Sequence, residues 1–184
     1  MRVTIYDKNP GPGFSQWFLK TMWMLGCWLQ KVFGKVDAYY GATSWDDAFM
    51  WLNRQGMISS LQYWGHGSPG YVWLSGYNLP ISSFELLKSK VTPETIIWFR
   101  TCSTFQGALG YAFSTKLTDL LKCTVAGHTR IIGPFQGGLH TRKPGVAPSW
   151  PMSEGEFPKS WWPSFWRWGN NTITCLATKI PKGW

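Results

Sequence analysis

Among the side chains of this chain able to move a proton or attack a carbonyl, three are candidates for a shared site, and each belongs to or follows a run of strand-forming residues. His66 stands in "YWGHGSPG", between Gly65 and Gly67, after the apolar run "MISSLQYW". Cys102 stands in "IIWFRTCSTFQG", two residues past "TIIWFR", and His128 stands in "VAGHTR". A thiol near its free pKa is only slightly ionised at neutral pH, so it needs help to become a nucleophile. A neighbouring imidazole takes its proton and later returns it to a leaving amine. A histidine flanked by two glycines is expected on a tight turn, open to whatever approaches. Backbone N–H groups between the end of a strand and the start of a helix favour a thiolate and a developing oxyanion. Gly67 lets a second N–H come close to a carbonyl with no side chain in the way. These residue types predict His66 as general acid/base, Cys102 as nucleophile, and the amides of Gly67 and Cys102 as an oxyanion hole.

Those groups meet only if neighbouring strands carry them to one rim. "RVTIY" (2–6) reads as a first strand and "KVDAYY" (35–40) as a second, with apolar residues at helical spacing over 14–33 between them. Core packing is the expected role of that Trp- and Met-rich helix, with lipid or partner contact as the alternative, and Gly34 is its expected cap. Ser44 and Asp47 form a capping-box pattern that opens a helix running to about Gln55. The third strand is "MISSLQYW" (57–64), followed by a small β-excursion (71–80) and a short helix (82–90). "TIIWFR" (95–100) is the fourth strand, 107–121 a helix, and "CTVAGHTRIIG" (123–133) contains the fifth strand. Strands alternating with helices predict an α/β sandwich of three layers, α/β/α, around a mostly parallel sheet. Ligands gather at the carboxyl ends of such strands. After Gly133 the chain turns Gly-, Pro- and Trp-rich, which predicts an irregular arm closed by a last strand, "TITCLATKI" (172–180). No linker interrupts the chain, so residues 1–184 are read as one domain, with its core over about 1–132.

Bulk properties narrow the function. Eighteen basic against nine acidic residues give a formal charge of +9, yet no run of Lys or Arg tracks phosphates as a nucleic-acid-binding tail does. The cysteines, at 27, 102, 123 and 175, include no CxxC pair, which argues against a structural zinc site and for reduced thiols. Cys102, His66 and His128 form one conceivable Cys-His-His zinc set, but no carboxylate or second cysteine is placed to complete it, so no metal is expected. Cys27, Cys123 and Cys175 read as packing residues. Asp7, at the end of the first strand, is a conceivable partner for an imidazole. The N-terminus turns polar after Tyr6, unlike a signal peptide, and Gln16, Lys20, Gln30 and Lys31 interrupt the most apolar segment. A cytoplasmic chain without a membrane span is the expectation.

The order His66-Gly67 after one apolar strand and Cys102 after the next resembles the caspase-like cysteine peptidases (clan CD), which include caspases, gingipains, separases, legumains and the CHAT-type bacterial proteases. "RTCSTFQG" is similar to the "-CS-x-x-x-G" pattern of the bacterial branches, and the resemblance spans roughly residues 1–132. It implies a cysteine endopeptidase that cuts a protein or peptide through a thioester, with a His66–Cys102 dyad and no cofactor. It also implies a primary pocket lined in part by the segment after the fifth strand. That makes Arg130 and Arg142, with His128, candidates for binding substrate, the arginines by reading an acidic side chain. The competing expectation is a non-catalytic module on the same scaffold. Its Trp-rich arm (Trp150, Trp161, Trp162, Trp166, Trp168) would contact a protein or single-stranded nucleic acid.

Overall fold

Side chains alternate along the central strands, and both sets are buried. The computed structural model describes residues 1–155 and 171–184. In chain order it contains β1 (Arg2–Asp7), α1 (Phe14–Val32), β2 (Ala38–Ala42), α2 (Trp45–Asn53), β3 (Ser60–Trp64), β4 (His66–Ser68), β5 (Tyr71–Leu74) and β6 (Tyr77–Asn78). A 3-10 helix (Ile81–Leu87), β7 (Ile96–Arg100), α3 (Gly107–Leu121), β8 (Thr124–His128), β9 (Phe135–Gln136), β10 (Leu139–Arg142) and β11 (Ile173–Thr174) follow. Val3, Ile5, Leu61, Tyr63, Ile97, Phe99 and Val125 enter the main apolar core with Phe49, Leu52, Phe84, Phe113 and Leu117 from the helices. The alternate residues Tyr6 and Trp64 pack with Cys27 and Trp23 of α1, and Trp98 and Ala126 pack with Leu139. Helices therefore flank the sheet, and both sets of side chains leave water, as in a sheet covered on its two faces.

The central sheet has six strands in the order β10-β8-β7-β3-β1-β2. β2, β1, β3, β7 and β8 run parallel, and β10 pairs antiparallel with β8. The fold is mixed α/β with a mostly parallel centre. β4, β5 and β6 form a separate antiparallel sheet, and β9 pairs with β11.

Where boundaries differ from the sequence reading, local hydrogen bonds account for it. The amides of Lys35 and Val36 bond the carbonyl of Gln30 and close α1, so β2 starts only at Ala38. The amides of Ile58 and Ser59 are taken by the carbonyls of Lys90 and Met1, and β3 starts at Ser60. The expected last strand shrinks to Ile173–Thr174, because the Arg100 guanidinium draws the carbonyls of Cys175 and Ala177 out of any ladder. Ser44 caps α2 as expected by accepting from the Asp47 amide at 3.1 Å, while the Asp47 carboxylate bonds the Thr43 amide at 2.9 Å. The largest departure is α1. Its sheet-facing residues include Gly26, Cys27 and Gln30, and the apolar stripe expected in the core points into solvent. No helix among the described residues is long and apolar enough to cross a membrane.

Gly110, in the first turn of α3, fixes how closely that helix meets the loop before it. A Cβ there would lie 2.1 Å from the Phe105 carbonyl carbon and 2.4 Å from its oxygen, and this backbone cannot swing aside as a flexible side chain does. Gly110→Ala is expected to lower unfolding free energy by about 3 kcal/mol, at the upper end of overpacking costs. Urea denaturation of the variant beside the wild type measures it.

Candidate active site

β3 and β7 are hydrogen-bonded parallel neighbours in which Trp64 stands opposite Arg100. Each chain runs two residues further, to His66 and to Cys102, so the two residues leave the sheet at the same step of adjoining strands. Parallel strands lie about 4.8 Å apart, which is the spacing at the last paired residues, Trp64 and Arg100. Packing at Gly67 shows the contact directly: a Cβ there would lie 2.5 Å from Thr104 Oγ1, 2.7 Å from Thr101 Cβ and 2.9 Å from the Cys102 carbonyl oxygen. The glycine exists to let the two segments touch.

His66 does not occupy the tight turn that its neighbours suggest. It opens β4 and pairs with Trp73 in the β4–β5 hairpin, whose turn is made at Gly70 with φ +79°. The reversal falls there because Gly70 has the left-handed φ. Gly65 and Gly67 are needed for space, and a Cβ on Gly65 would strike the Tyr63 hydroxyl.

The imidazole is half-buried. Its Nε2 lies 2.8 Å from Gln16 Oε1, and the ring stands edge-on to Trp23 at 5.3 Å, both residues of α1. With the amide oxygen as acceptor, the ring carries its proton on Nε2 and leaves Nδ1 as the basic nitrogen. Burial pulls the His66 pKa below its ordinary value, against a smaller upward pull from the Asp7 carboxylate. Asp7 does not touch the ring. Its carboxylate accepts from the amides of Asn9 and Ser75 at 2.9 Å and ties the turn after β5 to the end of β1.

Cys102 is partly exposed, and its Sγ lies 3.9 Å from the Ile132 carbonyl. Burial pushes this thiol up, only partly offset by that backbone contact. At neutral pH the two side chains therefore rest as a neutral thiol and a neutral imidazole, and among the described residues no hydrogen bond joins them. The loop that carries the sulfur is clamped from two sides. The Gly70 amide bonds the Thr104 carbonyl at 3.0 Å, and the Thr101 and Thr104 hydroxyls lie 2.5 Å apart. From the end of β8 and just past it, the carbonyls of His128 and Arg130 accept the amides of Phe105 and Ser103, each at 2.9 Å. Between these clamps Ser103 is held at φ +54°, a left-handed conformation disfavoured for residues with a Cβ.

Of the remaining residues singled out by sequence, Arg130 and His128 meet the Cys102 loop through their backbone carbonyls. His128 is fully buried: its Nδ1 donates to the Gly137 carbonyl at 3.1 Å, and its Nε2 accepts from Trp98 Nε1 at 3.3 Å. Neither ring nitrogen is left to meet a ligand. Arg142 is buried opposite Val125, at the end of the β8–β10 ladder remote from Cys102. Arg130 lies just past β8, with its side chain against Gly138. Cys27 and Cys123 are buried with raised pKa values, that of Cys123 at about 11. No group of three or more His, Cys, Asp or Glu residues suited to a metal ion occurs among the described residues. Trp150, expected on a contact surface, is instead core, stacked on Phe105 at 5.4 Å and on His140 at 4.9 Å. Trp161, Trp162, Trp166 and Trp168 lie outside the described residues. A cleft of about 350 Å³ runs beside the hairpin, lined by Tyr71, Leu79, Leu109, Phe113 and Lys116, and neither His66 nor Cys102 lines it. Gln16 was not singled out by sequence. Its only signal is an uncharged amide seven residues before Trp23 on the same helix stripe.

Compared with known proteins, the chain matches no protein-family model, no curated protein and no solved structure.

The buried His128 makes stability depend on pH. Its folded pKa is depressed from 6.5 to about 3, chiefly by burial. Above 6.5 neither state is protonated there. As pH falls towards 3, the unfolded chain binds a proton that the folded chain refuses, so stability drops. The expected loss is about 2 kcal/mol between about pH 6.5 and about pH 5. Urea midpoints across that window are expected to fall less steeply in His128→Gln than in the wild type.

Proposed function

We propose that the chain is a cysteine endopeptidase of the caspase-like kind, with a three-layer α/β/α domain and a His66–Cys102 dyad. The observation that carries the reading is the shared step of β3 and β7, with Gly67 packed against the Cys102 carbonyl. The helices on both sides of the sheet support the three-layer arrangement.

The chemistry follows from the resting charges. Cys102 is not a preformed thiolate, so the imidazole acts as base during attack. Cys102 Sγ bonds to the scissile carbonyl carbon while its proton passes to His66 Nδ1. The amides of Gly67 and Cys102 take the negative charge that collects on the carbonyl oxygen. The carbon–nitrogen bond then breaks, and the imidazolium gives its proton to the leaving amine. A thioester remains. Water attacks it with His66 again as base, the acid departs and the thiol returns. The substrate draws ring and sulfur into bonding distance, a tightening common when an empty site fills. Gln16 positions the ring through Nε2. Arg130, whose backbone carbonyl accepts from the Ser103 amide beside the nucleophile, is the residue we assign to an acidic substrate side chain.

Iodoacetamide labelling tests the dyad. Cys102 is expected to react faster than Cys27 and Cys123, and His66→Ala to slow it by about a hundredfold, the low end of general-base contributions. Gln16→Leu is expected to slow it less and to change its pH profile. Because the His66 pKa is lowered, the acid limb of the wild-type profile belongs below 6.5. Digestion of a peptide library by wild type, but not by Cys102→Ala, is the expected result for a peptidase. Equal slow labelling of all four cysteines, with no cleavage, would replace it with a binding module.

A further inference from the structure

We infer that the outward face of α1 docks on an anionic lipid surface. This inference does not depend on the peptidase reading. The helix is built inside out. Its sheet-facing side includes Gln16, Gly26, Cys27 and the buried Gln30, while its solvent side carries Phe14, Trp17, Phe18, Met22, Leu25 and Trp28. Phe14 is 79% exposed, Trp17 58% and Trp28 47%, and Phe33 just past the helix is 66% exposed. Large aromatic side chains clustered like this in water cost free energy, and contiguous apolar patches of this kind mark docking sites. The Thr21 hydroxyl within the stripe is already satisfied, as its Oγ1 donates to the Trp17 carbonyl at 2.9 Å.

Charge selects the occupant. Between Asp7 and Asp37 the sequence has no acidic residue but four lysines: Lys8, Lys20, Lys31 and Lys35. A second copy of the chain is a poor fit, because a two-fold interface sets the same patch against itself and brings the lysines together. An anionic bilayer answers both features at once. Its headgroups meet the lysines, and its interface accepts Trp and Phe rings at the depth that an amphipathic helix reaches. A helix of 19 residues is about 28 Å long, enough to lie along the surface with aromatic residues near both ends.

Flotation of the full chain with vesicles tests this. Vesicles of phosphatidylcholine with about 30 mol % phosphatidylglycerol are expected to carry the protein up, and pure phosphatidylcholine vesicles to bind at least about tenfold more weakly. The double variant Trp17→Glu/Trp28→Glu changes only exposed side chains and is expected to fold with an unchanged circular dichroism spectrum. It should lose binding by more than about tenfold. Lys20→Gln and Lys35→Gln are each expected to weaken binding about fivefold, and high salt to weaken the wild type. Equal binding to both vesicles would overturn the inference, as would double-variant binding equal to the wild type. Absence of flotation with either vesicle would overturn it. Sedimentation in lipid-free buffer as a dimer that the double variant splits, with vesicles unbound, would assign it to a second copy.

Discussion

The pairing of β3 with β7 is the constraint on which the rest of the site depends. In parallel strands a register is shared along the whole ladder, so Ser60 opposite Ile96 fixes Trp64 opposite Arg100. Everything beyond the strand ends inherits that alignment. A slip of β3 by one residue would turn Tyr63 out of the main core and onto the other face. The apolar core that rewards this register therefore also sets where His66 and Cys102 emerge. Precision at the rim is inherited from hydrophobic burial several residues away.

The loops at that rim gain rigidity from polar bonds. The hairpin is tied to β1 through Asp7 and Ser75, and the Cys102 loop is tied both to the hairpin and to the end of β8. His128 belongs to this framework: its backbone carbonyl holds Phe105, while its ring joins Trp98 to Gly137. A residue type suited to proton transfer serves here as a neutral spacer, because burial has removed its charge.

Much of this was legible in the sequence. The continuous apolar run in "TIIWFR" marks a strand buried on both faces, and the Ser44–Asp47 spacing marks the start of α2. Both patterns are local. What was not legible depends on neighbours remote in sequence. Gln16 lies 50 residues from His66, and nothing in either segment names the other. Helical periodicity in α1 reveals an apolar stripe but not which way it faces, since Gly26 and Gln30 point inward only because Trp64 fills the space beneath Gly26. The glycines around His66 suggested a turn, whereas their value is the absence of a side chain between two touching segments.

Arg100 has one more consequence. Its guanidinium lies between the faces of Trp98 and Trp64, at 3.8 and 4.8 Å, and donates to the carbonyls of Cys175 and Ala177. Among the described residues no carboxylate pairs with this buried cation, and the carbonyl dipoles of Cys175 and Ala177 take that part. The β9–β11 pair, the Asn171 bonds to Leu139 and the Thr141 hydroxyl on the Trp184 carbonyl fasten the same stretch. The described segment 171–184 is thus a strap laid across the ends of β7 and β10 and anchored mainly through its own backbone carbonyls.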